Sequence, residues 1–520
     1  MAKIVLINPR FDASYWGLEH ALPIFGKRAN LPVACLPLLA ALTAPGHQIT
    51  LVDENVAPLC YDRIAQADIV GVTGMSVQRF RMREILEQLK RRGVFVVVGG
   101  PWVTVKEDYF DNLPDVIFIG EAEETWPQFL LDWQLGRHQT RYEQLATTDM
   151  SRVPCPRYDL LDAKQYMFGS LQISRGCPFQ CEFCDIIVTF GRRPRLKSAS
   201  QVIAELQALR ATGVRMAFIV DDNLIGNKQG IAPVLQAIAS WQSANGFPFT
   251  FFTEASIDLA DDGDLMQLLT AANIQAVFVG VESPNAESLR ETLKFQNLRE
   301  GGTIVEKLRR IQAAGMEVWT GMIVGFDHDN ESIFDAQCQL LCEARIVHAM
   351  VGMLSAIPKT PLYDRLQGEG RLDQDDISEF GTNVIPKQMS RAALRDGYVD
   401  VLGRVNDPTA FFDRLDSLYQ DRQFTFNSAQ RSYWRRHPLA WLRSQGRILV
   451  QCAVLYRRLM QHVEDADLRR EYRRRLASIC RVRRDPQALF IYLIKCAMHY
   501  HNTKMIAAIT QDGRITVNTF

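Results

Sequence analysis

The stretch Cys177-Pro178-Phe179-Gln180-Cys181-Glu182-Phe183-Cys184 sets three thiols at the spacing C-x3-C-x2-C. Thiolates hold iron–sulfur clusters, and a short loop can bring three sulfurs to three corners of a four-iron cube, leaving the fourth iron open for chemistry. No fourth cysteine is close in sequence, since Cys155 lies well upstream and Cys338 far downstream. The spacing also differs from the C-x2-C pairs of zinc ribbons. A Gly-Cys-Pro opening and aromatic spacers set the trio apart from three structural cysteines. Cys177, Cys181 and Cys184 are therefore the expected ligands of a [4Fe-4S] cluster.

The loop resembles the signature of the radical S-adenosylmethionine (SAM) enzymes. That resemblance implies that the open iron binds the amino and carboxylate groups of SAM, and that an electron from the cluster cleaves it to a 5′-deoxyadenosyl radical. Residues 171–174, 216–220, 249–253, 276–281, 318–324 and 349–354 read as strands with helical segments between them, residues 196–212 being the first crossover helix. Their sum is a partial (β/α)6 barrel with its site at the carboxyl ends of the strands. Asp221, Asp222 and Asn223 follow the second strand, Thr253 and Glu254 the third, Glu282 and Ser283 the fourth, and Ile323 lies in the glycine-flanked run of the fifth. Carboxylates accept from the ammonium and ribose hydroxyls of SAM, while glycines and an apolar side chain admit a flat adenine. Each acid alone reads equally well as a cap or turn residue; as a set they match the family's SAM-binding pattern. Cys338 and Cys342, four apart on a helix, read as core cysteines. A Walker-type or GxGxxG loop is absent from the sequence, so nucleotide hydrolysis has no anchor.

Upstream, residues 3–8, 48–53, 68–73, 94–99 and 116–120 are buried-strand runs separated by amphipathic stretches. Such alternation predicts an α/β domain with a parallel, doubly wound sheet, whose ligand sits beyond the strands' carboxyl ends. The runs end in Asn8-Pro9, Thr73-Gly74-Met75-Ser76, Gly99-Gly100-Pro101-Trp102 and Gly120-Glu121-Ala122-Glu123. Ordinary turns of a Rossmann-like domain are the plainer reading. The set resembles the cobalamin-binding domain that precedes many radical SAM domains, where Gly-Gly-Pro-His-x-Thr and Gly-Glu-Gly-Glu loops line the corrin. Trp102 stands where that pattern has histidine, and no Asp-x-His-x-x-Gly motif occurs. The resemblance thus implies cobalamin held without a histidine on cobalt, against Asn8, Thr73, Gly74, Met75, Ser76, Gly99, Gly100, Pro101, Trp102, Gly120 and Glu121.

The 520 residues are 47% hydrophobic and 23% charged, an ordinary globular composition with room for several domains. Lys plus Arg equals Asp plus Glu at 59 each, so no global charge points to nucleic acid. No run approaches the roughly 20 apolar residues that span a bilayer, and the start carries no secretory pattern. Eleven irregularly spaced cysteines fit a reducing compartment, and a cytoplasmic location is expected. Beyond residue 361 the pattern turns helical, with arginines crowding among Trp and Tyr between Arg431 and Arg484. Two readings of that stretch stand: a peripheral contact with the anionic inner membrane, or a solvated face interleaved with Glu464, Asp465, Asp467 and Glu471. The expected organisation is a cobalamin-binding Rossmann-like domain over residues 1–140, a linker over 141–164, the radical SAM barrel over 165–372 and a mainly helical domain over 373–520.

The wording of residues 174–187, 218–227, 252–256, 321–327 and 350–354 is similar to the radical SAM branch that carries a DUF4070 C-terminal region and includes hopanoid C-2 methylation. This similarity implies a C-methyltransferase that uses SAM twice, once to methylate cobalamin and once as the source of the radical that takes hydrogen from an unactivated carbon. Methylcobalamin then supplies the methyl group. The implied substrate is a hydrophobic small molecule, a hopanoid at C-2 first; a tetrapyrrole, peptide or other natural-product intermediate, or radical chemistry without methyl transfer, are the alternatives. A reductant such as flavodoxin or ferredoxin would feed the cluster. A polycyclic substrate with few polar groups calls for an apolar cavity, expected between barrel and C-terminal cap.

Overall fold

In the computed structural model, which describes residues 1–14, 17–421, 424–426 and 429–512, the early apolar runs fold as β1 (Lys3–Asn8), β2 (Gln48–Asp53), β3 (Ile69–Thr73), β4 (Val96–Gly99) and β5 (Val116–Ile119). A sixth strand, β6 (Arg141–Glu143), joins the edge by pairing with β5, within the stretch expected to be linker. Only its middle residue is buried, so it offers no apolar run to read. All pairings are parallel, in the order β2-β1-β3-β4-β5-β6. The strand period of two sends Val96 and Val98 of β4 to one face, against Ile85, Leu86 and Leu89 of helix Arg79–Lys90, and Val97 to the other, against Phe129 and Leu130 of helix Thr125–Gln134. The order reverses between β1 and β3, the switch point at which sheets of this kind bind ligands.

Further along lie β7 (Gly169–Leu171), β8 (Ser174–Arg175), β9 (Arg195–Leu196), β10 (Met216–Ile219), β11 (Thr250–Glu254), β12 (Ile274–Glu282), β13 (Glu317–Val324) and β14 (Ala349–Met353). β7 and β10 pair in parallel, as do β11 to β14 in succession, while β8 and β9 form a short antiparallel ladder. The strand expected over residues 171–174 is broken, because the Ile173 and Ser174 N–H groups donate to the Asp221 carboxylate, at 2.7 Å each. The expected crossover helix runs Ala199–Ala211, and its start is set by the Ser198–Gln201 capping box.

The chain divides into two compact units, residues 1–12, 28–234 and 357–364, and residues 13–27, 235–356 and 365–520. The first contains the six-stranded sheet, the cysteine loop, β7 and β10. The second contains β11 to β14 and helices Arg391–Val405, Pro408–Asp416, Ala429–Arg436, Pro438–His462, Ala466–Val482 and Pro486–Asp512. Within it, Lys495 of the last helix forms a buried ion pair with Glu317 at the start of β13, and Glu317 also accepts from Tyr419 Oη (2.7 Å) and Trp319 Nε1 (3.0 Å). A buried pair with its remaining lone pairs satisfied fixes the register of helix on strand.

His499 on the same helix is fully buried between Tyr472 Oη (2.7 Å from Nδ1) and the Asn406 carbonyl (3.0 Å from Nε2), with its ring against Phe411 and Phe412. A neutral ring serves both partners, Nε2–H donating and Nδ1 accepting. Burial pushes its pKa down to about 4. The unfolded chain titrates near the ordinary value of 6.5 and so binds more protons between pH 6.5 and 4. The stabilising contribution is complete above pH 6.5 and is lost as pH falls toward 4, at most roughly 3 kcal/mol. We expect the thermal midpoint to fall through this window and His499→Gln to flatten the fall. An equally steep profile in the variant, followed by circular dichroism, would contradict this.

Candidate active site

The three cysteines lie between β8 and the helical turn Ile186–Thr189. Gly176 enters the loop at φ 90°, where an added Cβ would meet the carbonyl oxygens of Gly191 and Arg193 at 2.9 and 3.0 Å, so only glycine fits. Three consecutive residues after β10 hold the approach. Asp221 accepts from the Ile173 and Ser174 N–H groups and from Ser174 Oγ (2.6 Å), Asp222 accepts from the Gly176 N–H (2.9 Å), and the Asn223 amide donates to Cys177 Sγ (3.9 Å). Burial pushes the Asp221 carboxyl up to about 7 and that of Asp222 to about 6, against the pull of those hydrogen bonds. Read from the sequence as SAM contacts, Asp222 and Asn223 have partners in the loop itself, and Asp221 holds the backbone leading into it.

This donor set fits an iron–sulfur cluster. Burial pushes the Cys184 thiol well up, and the neighbouring Asp185 adds to it, so a thiolate there calls for a compensating cationic group. Among the described residues no three His, Cys, Asp or Glu side chains converge on one ion position. A four-iron cube takes one thiolate at each of three corners.

At the rim of the six-stranded sheet the glycine loops are locked to one another. The Trp102 N–H donates to the Gly74 carbonyl (3.2 Å). Gly100 takes φ 101°, and a Cβ there would collide with Thr73 Oγ1. Thr104 Oγ1 donates to the Gly100 carbonyl and accepts from the Gly120 N–H, both at 3.0 Å, which ties the ends of β4 and β5 together. Pro101 opens helix Pro101–Val105 and Ser76 opens a short turn running to Gln78. Asn8 is buried, donating to Asp53 (3.2 Å) and accepting from Gln78 (3.1 Å), whose own oxygen accepts from the Met75 N–H (3.0 Å). Gln78 thus joins the two strands of the switch point, a role with no signal in the sequence. Two features fit a large planar ligand bearing amides: Met75 is 52% exposed at the switch point, and the buried Trp102 indole N–H has no partner among the described residues.

Glu121, expected to line the corrin, is buried in a charge network. It pairs with Arg175 (2.7 Å) and Arg195 (3.0 Å), and Arg175 reaches Glu123 as well (2.6 Å). Thr148 completes the set, its N–H donating to Glu121 (2.7 Å), its hydroxyl to Glu123 (3.0 Å), and its carbonyl accepting from Arg195 (2.6 Å). Burial alone would raise the Glu123 carboxyl; the Arg175 charge and hydrogen bonds outweigh it and hold the group below its ordinary range. Arg175 immediately precedes Gly176-Cys177, so the loop ending β5 is bonded to the residue that leads into the cysteine loop. Sequence reading passed over Arg175, Arg195 and Thr148 because their acidic partners are distant in the chain.

In the second unit, Glu254 ends β11, Glu282 ends β12, and Ile323 lies next to the end of β13. Glu282 follows a register shift at Gly280, sits at φ 65°, a strained value for a side chain of its size, and pairs with Lys294 (2.7 Å). Ser283 is fully buried and its Oγ accepts from the Asn285 N–H (3.1 Å). Cys342 is exposed and Cys338 half-buried, so the expectation of two core cysteines does not hold.

The sequence matches the profiles of three families: the B12 binding domain over residues 31–130, the radical SAM superfamily over 171–340, and a domain of unknown function, DUF4070, over 360–514. It is 36% identical to an uncharacterized methyltransferase, sll1242, of Synechocystis over 79% of this chain and 77% of that one. It is 33% identical to the hopanoid C-2 methylase of Rhodopseudomonas palustris over 80% and 79%. The fold is similar to that of the methyltransferase TsrM of Kitasatospora setae, solved with cobalamin and a [4Fe-4S] cluster, at a TM-score of 0.59, 16% identity, and coverage of 76% of this chain and 81% of that one.

The charge network carries its own test. Arg175→Met leaves two buried carboxylates short of their shared cation, which should cost roughly 3–5 kcal/mol of stability. Arg175→Lys should fall between wild type and Met, because it keeps the charge and loses the fork. Urea midpoints that do not move would show that the network contributes nothing.

Proposed function

This chain belongs to the cobalamin-dependent radical SAM methyltransferases, and we propose that it methylates carbon C-2 of a hopanoid. The observation that carries this reading is the similarity to a hopanoid C-2 methylase along most of both chains, together with the DUF4070 region. When bound, the cluster and cobalamin supply SAM cleavage and methyl transfer.

The chain's own residues have defined tasks in this proposal. Cys177, Cys181 and Cys184 hold the cluster, and Asn223 donates to the Cys177 sulfur, a bond of the kind that tunes cluster potentials. Asp221 and Asp222 fix the backbone that delivers Cys177, while Glu254, Glu282, Ser283 and Ile323 are assigned to SAM. In the first sheet Thr73 to Ser76, Gly99 to Trp102 and Gly120 face cobalamin, with the Trp102 indole N–H as its donor. Glu121 and Asn8 act one step back, through Arg175 and Gln78. A reductant of the flavodoxin or ferredoxin class supplies electrons, and the reaction is placed in the cytoplasm, where its lipid substrate is reached at the inner membrane.

The test is anaerobic. Reconstituted protein is given cobalamin, reductant, methyl-labelled SAM and a hopanoid-containing lipid extract, and the lipids are analysed by mass spectrometry. Label in a hopanoid at C-2, abolished by Cys181→Ala, is the expected outcome. Unlabelled lipids in a reaction that nonetheless forms 5′-deoxyadenosine and S-adenosylhomocysteine would remove the hopanoid assignment.

A further inference from the structure

Between Ala429 and His462 the chain has seven arginines and neither Asp nor Glu. The stretch forms helices Ala429–Arg436 and Pro438–His462, the second 25 residues long. The longer helix has two apolar stripes. One, with Cys452, Leu455 and Leu459, is buried. The other, with Leu439, Leu442, Leu449, Val450, Val454 and Tyr456, is exposed, Leu439 by 71% and Val450 by 64%. Leu442, Leu449 and Tyr456 stand seven residues apart and therefore fall on one line along the helix, and Leu439, Val450 and Val454 lie about a quarter turn round from it, on the side that carries Arg443, Arg447 and Arg457.

The acids that follow do not neutralise this face. Glu464 pairs with Lys504, Asp465 caps the next helix, Asp467 pairs with Arg470, and Glu471 pairs with Arg474 and Arg475. The solvated, interleaved reading thus describes helix Ala466–Val482, where Arg470, Arg474 and Arg475 pair with acids. Among the described residues none of the seven upstream arginines forms an ion pair.

We infer that helix Pro438–His462 is a membrane-docking element that lies on an anionic lipid surface, its exposed stripe in the headgroup boundary and its arginines against lipid phosphates. Charge decides the occupant. A second copy of this face would set the exposed Arg443, Arg447 and Arg457 of one helix against those of the other, whereas an anionic bilayer complements them and accepts the apolar stripe. No helix among the described residues is long and apolar enough to cross a membrane, so the helix would lie along the surface. The inference concerns a surface and does not depend on which lipid is methylated.

The test uses the full chain in vesicle flotation without substrate turnover. Wild type should bind vesicles containing phosphatidylglycerol and bind pure phosphatidylcholine weakly, with binding that falls as salt rises. Arg443→Glu with Arg447→Glu and Arg457→Glu should weaken binding by about tenfold or more. Leu442→Ser with Leu449→Ser should also weaken it, while circular dichroism stays as in wild type because these side chains face outward. Equal binding of wild type to neutral and anionic vesicles, no binding at all, or unchanged binding by the glutamate variant would overturn the inference. So would a lipid-free dimer that Leu442→Ser with Leu449→Ser dissolves, since the stripe would then belong to a second copy.

Discussion

The buried guanidinium of Arg175, shared between Glu121 and Glu123, is the constraint on which the first unit turns. Burying three ionised groups is unfavourable unless each finds its counter-charge at hydrogen-bond distance, and here Arg195 and Thr148 supply what one arginine cannot. The two carboxylates belong to the loop that ends β5, and the cation belongs to the residue two before Cys177. The end of the cobalamin-binding sheet and the start of the cluster loop therefore hold each other in place, and neither can shift alone without exposing a buried charge.

Everything next to that tie serves positioning. Gly176 turns where no side chain fits, and Asp221, Asp222 and Asn223 meet the approach to the cluster, the turn and the first sulfur in succession. Elsewhere the same economy appears as side chains holding backbone: Gln78 across the switch point, Thr104 between two glycine loops, and Glu317 receiving Lys495, Tyr419 and Trp319 at the foot of β13. Enzymes whose cofactors perform the difficult bond changes need the protein mainly for placement and exclusion of water, and these buried polar networks are suited to that.

Much of this was legible in the sequence. The cysteine spacing marks the loop proposed to hold the cluster, because three thiols in so short a span have few other uses, and five of the six strands of the first sheet announce themselves as apolar runs. β6 does not, since a short edge strand with one buried residue carries no period. The strand-end residues were visible as a set, but their bonding was not: Glu121 looked like a rim residue and is a buried ion-pair partner, while Asn223 looked like a SAM contact and donates to a cysteine sulfur. The partners that decide such roles are Arg175, Arg195, Gln78 and Lys294. They are set by which strand ends the topology brings together, and nothing local in the sequence marks them.

If the Arg175 tie sets the register between the cysteine loop and the glycine loops of the first sheet, Arg175→Lys should uncouple SAM cleavage from methyl transfer. The most direct measurement is the ratio of 5′-deoxyadenosine released to methylated product formed, compared between wild type and Arg175→Lys with both cofactors loaded. A ratio near one is expected in wild type and a severalfold higher ratio in the variant, SAM cleavage continuing while methyl transfer falters. A variant that keeps the wild-type ratio at wild-type rates would contradict it.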